Sequence, residues 1–527
     1  MIRKTIPLFA AALLAASCTG RGLDPAVEVP APDDAREGMI VLGERLADPY
    51  SLENMRAALT VVYPTKGAGH LLSASHYYVR FLPKSERDYA WLESRGVVML
   101  DHPMDYEILR EGDWYHDPDI PEGQITWQYA SVPRDFPFPP RIRYEILDDC
   151  YIPGEELQVK AGDGIDWEAV EREAYRLTGN GDLLEERPLT RADSPGTPQG
   201  RITIVDPDRG GAAEGVRGVR VACNTFVKTA YAYTDDEGCY QMSEVFPSKP
   251  RYRLIYKNSA GFAIGFNLLL VPASVSSLGR GETTGLDLVV DGSSDRRLFT
   301  RCVVNNAGYD YFQRCAEVDP ALKTPPSNLR IWLFQRLSAS CTVMLQQGVL
   351  VDQGKVGEWL GEYAVLLKLF LPDIALGLKG HDSYASIYAD TVHELAHASH
   401  FSLAGTDYWE NFARFIVTSY VTSGFVTYGV GTETDHGYCE VGEMWAYYLQ
   451  TVLYRERYPG KDVPAFGQGH WFHPQIFLEL EEDGLDEGRI FQVLSSDVTD
   501  RQMLQKKLIS YYPEHKSAIN QAFAKYN

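Results

Sequence analysis

The spacing of apolar residues near the N-terminus switches between helical and alternating patterns. Residues 51–63 carry apolar side chains three and four positions apart, which is the period of a helix with one buried face. Residues 77–82 alternate as a strand does, residues 85–92 return to helical spacing, and residues 97–100 again have the pattern of a strand. This order predicts a small α+β domain over residues 39–150.

Short alternating segments dominate the middle of the chain. The candidate strands are residues 202–205, 219–221, 231–233 and 252–256. Residues 234–238, Thr-Asp-Asp-Glu-Gly, supply a turn between two of them. The charged stretch before the first strand ends in Ser-Pro-Gly-Thr-Pro-Gln-Gly, which is typical of a linker. We therefore expect a linker region over residues 151–199 and an all-β sandwich over residues 200–292.

Beyond residue 292 the apolar positions return to helical spacing. Amphipathic or strongly apolar stretches cover residues 329–345, 362–371, 383–403, 407–422, 437–456 and 502–525. They predict a mainly α C-terminal domain over residues 293–527. Because 527 residues are too many for one ordinary core, the expected fold class is multidomain, with a small α+β domain, an all-β sandwich and a mainly α domain in that order.

The first 18 residues have the composition of a targeting segment. Arg3 and Lys4 precede an apolar stretch, residues 6–16, that is too short for a permanent membrane span. The run Leu-Ala-Ala-Ser-Cys that ends at Cys18 resembles a bacterial lipobox. The resemblance implies that residues 1–18 are a lipoprotein signal peptide and that Cys18 carries lipid after cleavage.

The lipobox resemblance also implies a location in the bacterial cell envelope. The Pro- and Asp-rich residues 19–38 suit a flexible tether between the lipid and the first domain. Thr19, rather than an aspartate, follows Cys18, which by family analogy favours the outer membrane, on its periplasmic or its surface side. No later stretch is apolar over the length that a spanning helix needs.

Composition and charge narrow the range of partners. The net charge of -22 argues against a nucleic-acid surface, and the hydrophobic content of 45% suits folded domains. Seven of the eight cysteines follow Cys18, and none belongs to a Cys-x-x-Cys pair of the kind that binds zinc. Close spacing suggests two disulfides, Cys302 with Cys315 and Cys223 with Cys239.

The middle region carries a recognisable pattern of turn and strand residues. Gly218-Val219-x-Val221, followed by Thr234-Asp235-x-x-Gly238-x-Tyr240, resembles the carboxypeptidase-regulatory-like (transthyretin-like) β-sandwich. Such modules are usually accessory, so the resemblance implies a spacing or stabilising role and no chemistry of its own.

The chemistry of the C-terminal domain is indicated by His393-Glu394-Leu395-Ala396-His397. Residues four apart on a helix lie on one face, one turn apart, so both imidazoles can reach one metal ion. Zinc accepts imidazole nitrogen readily and favours tetrahedral coordination. Glu394 falls beside the metal rather than on it, where a carboxylate can take a proton from metal-bound water.

A catalytic zinc ion needs a third protein ligand and one open position for water. His400 lies about 10 Å beyond His393 along the helix axis, too far for one tetrahedral ion, so we interpret it as a cleft or surface residue. Metzincin-like enzymes place a third histidine six positions after the second one. Leu403 occupies that position here, which excludes the metzincin pattern.

A later helix offers the missing ligand. Its run Glu443-x-x-Ala446-x-Tyr448 resembles the third-ligand helix of the gluzincins, the thermolysin-like and aminopeptidase-like zinc peptidases. In that pattern a small residue one turn after the glutamate lets the two helices approach. The resemblance implies that His393, His397 and Glu443 bind one zinc ion and that Glu394 is the general base.

Other residues near Glu443 remain candidates. Glu440 lies one turn earlier and can face the same way. Asp435 lies in a loop that resembles an aspzincin element, except that Thr434 occupies the aspartate position. An acidic group that is not on the metal can orient a histidine instead. The candidate donors to a developing oxyanion are His436, Tyr438, Tyr447 and Tyr448.

These observations predict a membrane-anchored zinc peptidase, which hydrolyses peptide bonds by metal-activated water with Glu394 as base. Its partners would be a peptide or protein substrate and, through Cys18, a membrane. The alternative is a catalytically silent surface lipoprotein, an adhesin or substrate-capture module, with a peptidase-like domain. The intact Glu394 favours the enzyme, because a pure binding module has no use for a base beside the metal.

Overall fold

The protein is described from a computed structural model. It covers residues 38–64, 72–121, 124–154, 165–184, 197–265, 273–335, 340–342, 344–349, 373–422, 428–463 and 470–526. These ranges form a multidomain arrangement of helices and several β-sheets, with the helices concentrated in the C-terminal part. Cys18 and residues 362–371 lie outside the described ranges. Within those ranges, no helix has the length and apolar character that crossing a membrane requires.

The N-terminal unit contains the expected mixture of helices and strands. Its elements are β1 (Val41–Arg45), α1 (Leu52–Val62), β2 (His76–Leu82), α2 (Glu86–Glu93), β3 (Tyr106–Arg110), β4 (Gln128–Pro133) and β5 (Arg143–Cys150). Strand β2 lies at the centre of an antiparallel sheet between β4 and β5, and β1 pairs with β3. Helix α1 begins where predicted because the Ser51 hydroxyl accepts the Asn54 amide hydrogen.

One strand prediction in this unit is wrong. Residues 97–100 form no strand, and their only ladder contact is an isolated bridge from Leu100 to Tyr129. Val97 and Leu100 are buried whereas the two residues between them are half-buried. This three-residue spacing is not the two-residue alternation of a strand, so the apolar run packs into the core without joining a sheet.

The stretch predicted as a linker includes an ordered helix, α3 (Trp167–Leu177). Asp166 caps its first turn, and its buried residues Trp167, Val170 and Ala174 follow helical spacing. The helix packs on α1. On α3, the Glu171 carboxylate lies 2.7 Å from the ammonium of Lys228, which belongs to the region predicted as a β-sandwich. Both side chains of this ion pair are at least 95% buried.

Two facing sheets form the middle unit. Its strands are β6 (Gln199–Val205), β7 (Ala213–Gly215), β8 (Arg220–Thr225), β9 (Lys228–Tyr233), β10 (Cys239–Gln241), β11 (Arg251–Ile255), β12 (Phe262–Gly265), β13 (Val275–Arg280) and β14 (Leu288–Val290). One sheet has the order β10-β6-β14 with β7 on β6, and the other has the order β13-β11-β8-β9. Residues of both sheets share one hydrophobic core, as expected of a sandwich.

Strand β12 does not join either sheet of the sandwich. It pairs in parallel with β15 (Leu329–Phe334), which pairs with β17 (Ile374–Gly377), and the short β16 (Cys341–Thr342) lies antiparallel beside β17. The helical prediction for residues 329–345 is therefore wrong. Leu329–Phe334 is a buried parallel strand, and such strands have continuous apolar runs that periodicity does not distinguish from a helix.

Beside this second sheet, of strand order β12-β15-β17-β16, the C-terminal unit contains helices. They are α4 (Arg296–Glu317), α5 (Tyr384–Ala404), α6 (Thr406–Thr422), α7 (His436–Arg457), α8 (Gln475–Glu482), α9 (Glu487–Gln492), α10 (Arg501–Tyr511) and α11 (Lys516–Ala524). The three predictions for residues 383–403, 407–422 and 437–456 are confirmed within two residues. Residues 502–525 form two helices rather than one, because Pro513 cannot continue α10.

All seven cysteines in the described residues are free, so both disulfide predictions are wrong. Cys302 and Cys315 lie on the same helix α4, where 13 residues separate them by about 20 Å along the axis. Cys223 is buried with its sulfur 3.7 Å from that of Met242, whereas Cys239 is exposed on the other sheet. Neither pair has the geometry of a disulfide.

A buried arginine joins the sandwich to the helices. Arg457, the last residue of α7, donates to Asp206 at 2.9 Å and to Asp310 at 3.3 Å, which belong to the sandwich and to α4. Its guanidinium also lies 4.7 Å and 4.8 Å from the ring centroids of Tyr384 and Tyr388 on α5. One cation thus contacts α4, α5, α7 and the sandwich, and its position also suits the negative end of the α7 dipole.

The buried ion pair between α3 and β9 gives a stability prediction. Lys228→Met should lower the free energy of unfolding by about 3–5 kcal/mol, because it leaves the Glu171 carboxylate buried without its partner. Lys249→Met is the matched control, since its exposed pair with Glu282 should contribute less than about 1 kcal/mol. Denaturant unfolding curves measure both, and equal losses would contradict the prediction.

Candidate metal centre

Helix α5 carries the two histidines of the motif through the middle of the C-terminal unit. The Ser383 hydroxyl caps its first turn by accepting the Ser386 amide hydrogen at 3.1 Å, and the helix ends at Gly405 with φ of 84°. Of its 21 residues 18 are buried, so it packs on all sides rather than along one stripe. His393 and His397 lie one turn apart, with ring centroids 4.9 Å apart.

Helix α7 places Glu443 opposite both histidines. One Glu443 oxygen lies 3.4 Å from His393 Nε2 and the other lies 3.4 Å from His397 Nε2. The helices run antiparallel and close together, and the Trp445 indole donates to the Ala396 carbonyl at 3.2 Å. Ala446 is fully buried in this contact region, as the small residue of the pattern requires.

The three side chains have the properties of a metal site. Their ligand atoms all lie within 4.8 Å of one another. His393 Nε2, His397 Nε2 and both Glu443 carboxylate oxygens are buried without a hydrogen-bond partner among the described residues. Unpaired buried polar atoms are costly, so four of them that converge on one point call for a further group. Two imidazole nitrogens and a carboxylate fit a divalent metal ion.

Glu394 contacts the second sheet through its carboxylate and its carbonyl oxygen. The Thr342 hydroxyl on β16 lies 2.8 Å from Glu394 Oε2 and 2.8 Å from the Glu394 carbonyl oxygen. The other carboxylate oxygen, Oε1, is buried and has no hydrogen-bond partner in the described part of the chain. Burial raises the pKa of Glu394 to about 8. The carboxylate is therefore held by one oxygen and keeps the other for a proton.

Gln450 orients the first histidine. Its side-chain oxygen lies 3.1 Å from His393 Nδ1. Because an amide oxygen only accepts, Nδ1 carries the proton and the lone pair of Nε2 faces Glu443. Gln450 lies two turns after Glu443 on α7, so one helix supplies both a ligand candidate and the group that fixes the histidine tautomer.

The charges of the cluster depend on one another. Burial works against charge on His393, but the Glu443 carboxylate 3.4 Å from its Nε2 and other nearby carboxylates raise its pKa. Burial lowers the pKa of His397. Burial alone would raise the pKa of Glu443, but the neighbouring His397 and His393 outweigh it and lower that pKa. An anionic carboxylate between two imidazoles is the protonation state that suits a cation.

The other ligand candidates lie elsewhere. Glu440 is 3.3 Å from the Arg501 guanidinium, and Asp435 is an exposed residue at the start of α7. His400 is fully buried rather than at the surface, and its Nε2 lies 3.0 Å from the Leu494 carbonyl, to which it donates. Burial lowers the pKa of His400 to about 3, so it is a neutral packing residue.

Of the four candidate oxyanion donors, the structure brings one to the cluster. The Tyr447 ring centroid lies 4.5 Å from that of His393. Tyr438 packs on Tyr408, and His436 lies at the start of α7 against Trp471. Tyr448 lies on a different side of α7 from Tyr447 and packs against Trp445 and Phe477.

Sequence reasoning missed several residues near the cluster. Thr342 and Gln450 are separated from the motif by more than 50 residues and have no local signature. A buried imidazole–carboxylate pair, His381 with Asp390 at 3.1 Å, lies one turn before His393 on the side of α5 that faces the cluster. The His470 ring stacks at 6.4 Å from Tyr447. Of these residues, only Asp390 could have been found from the sequence, because it lies at helical spacing from Glu394 and His397.

Comparisons of the chain with protein-family models, with curated proteins and with solved structures found no match.

The position of Glu443 gives a prediction about metal content. Glu443→Ala should reduce stoichiometric binding of a divalent metal ion to a small fraction, because the two histidines alone leave the ion under-coordinated. Glu440→Ala, three residues earlier on the same helix and paired with Arg501, should keep full occupancy. Elemental analysis after dialysis measures the metal content of both variants. Metal loss in the Glu440 variant alone would show that Glu440, and not Glu443, is the ligand.

The contact between Gln450 and His393 gives a second prediction. Gln450→Leu should weaken metal affinity about 10–100-fold, because His393 loses the acceptor that fixes its tautomer. Gln450→Glu should restore affinity, since a carboxylate accepts the same hydrogen. Gln505→Leu, which changes a half-buried glutamine on α10 that donates to Asn520, is the control. Competition with a chromogenic chelator measures the affinities, and an unchanged Gln450→Leu value would exclude the orienting role.

Proposed function

We propose that this protein is a membrane-anchored, zinc-dependent peptidase. The observation that carries the proposal is the convergence of His393, His397 and Glu443, with unpaired ligand atoms, beside a glutamate that lies off the cluster. Two imidazoles and one carboxylate suit zinc, and three protein ligands leave a fourth position for water or substrate. The same set agrees with the gluzincin resemblance of the two helices.

The residues around the cluster have distinct roles in this proposal. Zinc, when bound, polarises the scissile carbonyl and acidifies the attacking water. Glu394 accepts the water proton on its unpartnered oxygen and later delivers it to the leaving amine. Thr342 holds the other oxygen, so the base keeps one orientation through both transfers. The raised pKa of Glu394 suits a group that both takes and returns a proton.

Anchoring to the outer membrane remains part of the proposal and rests on the lipobox that ends at Cys18. The alternative function, an adhesin or substrate-capture lipoprotein, would keep the metal and bind peptides without cleaving them. Glu394 distinguishes the two, because only an enzyme depends on the proton that this carboxylate carries.

The proposal is tested on the soluble chain that begins at residue 19. Wild-type protein should contain about one zinc ion per chain and cleave members of a broad peptide library. Glu394→Gln should keep the zinc and lose about 10²–10⁴-fold in kcat, because the amide cannot accept the water proton. Thr342→Val should keep the zinc and lose less activity than Glu394→Gln.

Two outcomes would overturn this proposal. Wild-type protein with one zinc ion that binds library peptides and cleaves none would favour the capture lipoprotein. Cleavage that continues at the wild-type rate in Glu394→Gln would remove the assigned base. Glu440→Gln, which changes a glutamate outside the cluster, is the matched control and should retain both zinc and activity.

A further inference from the structure

A half-buried histidine, His470, lies beside the candidate metal centre in the segment before α8. Its ring centroid is 6.4 Å from that of Tyr447, which in turn is 4.5 Å from that of His393. One aromatic side chain therefore separates His470 from the cluster. Because His393 and Tyr447 are each only 2% exposed, His470 is the member of this row that a substrate can touch.

Packing against buried rings fixes the position of this histidine. The His470 ring stacks on Phe472 with centroids 5.0 Å apart and planes 11° apart, and Tyr428 packs edge-on against it at 4.9 Å. Phe472 and Tyr428 are each 1% exposed, so the ring rests on the core of the C-terminal unit. A functional side chain needs this kind of support, since its geometry must stay constant through a reaction.

The ring nitrogens of His470 are uncommitted. Neither has a hydrogen-bond partner in the described part of the chain, whereas His400 and His436 are bound to main-chain carbonyl oxygens. Burial lowers the pKa of His470, while the charge of the Glu443 carboxylate acts in the opposite direction. A ring that is neutral near pH 7 carries one N–H, and either nitrogen can carry it. Whichever nitrogen faces a substrate can therefore donate.

Peptide hydrolysis requires such a donor at the reacting carbonyl. As water adds to the carbonyl carbon, the π electron pair of the C=O bond moves to the oxygen, which becomes negatively charged. Donors already in place at that oxygen lower the barrier. Tyr447 is the candidate donor that lies against the cluster, but at 2% exposure it offers a substrate little surface. His470 lies next to Tyr447, is accessible and has an uncommitted N–H.

We propose that His470 is a catalytic residue, which donates its N–H to the oxygen of the scissile carbonyl as that oxygen gains charge. The inference rests on the proposed peptidase function and assigns a further residue to the same site. The hydrogen bond transfers no proton. When the C–N bond breaks, its electron pair leaves with the amine, the oxygen's pair re-forms the C=O bond, and Glu394 delivers the proton that the amine needs.

Two substitutions in the soluble chain separate the N–H of His470 from its ring. His470→Phe keeps a ring for the stack on Phe472 but has no donor, and His470→Gln keeps an N–H donor without the ring. On a peptide that wild type cleaves, His470→Phe should lower kcat about 10²–10³-fold with KM changed less than about 3-fold, because the lost contact forms only in the transition state. His470→Gln should be at least about 10-fold faster than His470→Phe.

His473→Phe is the matched control. His473 is also half-buried and stacks on a tyrosine, Tyr526 at 4.7 Å, and burial also lowers its pKa, but the charged residue that acts on it is Arg501 rather than Glu443. This variant should keep the wild-type kcat. The role of His470 is overturned if His470→Phe cleaves at the wild-type rate, if both phenylalanine variants lose the same activity, or if His470→Phe loses its zinc.

A binding measurement distinguishes this inference from the proposed function. Acetohydroxamate has two oxygens that can occupy a metal site whatever the peptide specificity. Isothermal titration of zinc-loaded protein should give about 10-fold weaker affinity for His470→Phe than for wild type or His473→Phe, the effect of one hydrogen bond to a charged oxygen. That difference in a protein that cleaves no peptide would contradict the peptidase function alone. Equal affinities would overturn the role of His470 even if peptides are cleaved, and wild type that binds no acetohydroxamate would overturn both.

Discussion

The close antiparallel packing of α5 against α7 is the constraint on which the rest of the C-terminal unit depends. It brings Glu443 within 3.4 Å of both histidines and buries all three polar side chains. Such burial is unfavourable unless the groups are satisfied, and no described residue donates a hydrogen bond to either Glu443 oxygen. The helix packing and the candidate metal site are thus linked, because a bound cation would offset the cost of burying these polar atoms at the interface.

The surrounding structure holds this helix pair from several directions. The second sheet supports α5 through Thr342, and Gln450 connects the two helices next to the cluster. At the far end of α7, Arg457 binds acidic groups of the sandwich and of α4 while it packs on two α5 tyrosines. The relative position of the two helices is therefore fixed at the cluster and again about two turns beyond Gln450.

Much of this arrangement was readable from local patterns, and the remainder was not. Helices α5, α6 and α7 follow from periodicity, and the two histidines follow from their spacing, because both signals lie within a few turns of one helix. Only the gluzincin pattern favoured Glu443 over Glu440 as the third ligand, since the two glutamates lie one turn apart on the same helix. The helix predicted over residues 329–345 was wrong because a buried parallel strand lacks the alternation of apolar and polar residues that distinguishes a strand from a helix. Thr342 and Gln450 acquire roles only through long-range packing, for which the sequence carries no local mark.

The pairing of strand β12 with β15 limits how gene segments for such a protein can recombine. Strand β12 lies inside the stretch that resembles an accessory sandwich, yet it forms the edge of the sheet beside α5. A gene fragment cut after residue 292 would give one product in which β12 has lost its neighbour and another in which β15 pairs with β17 alone. The sandwich and the helical unit therefore cannot be shuffled as interchangeable cassettes. Recombination that preserves the fold must move them together, and their sequences must diverge as one lineage.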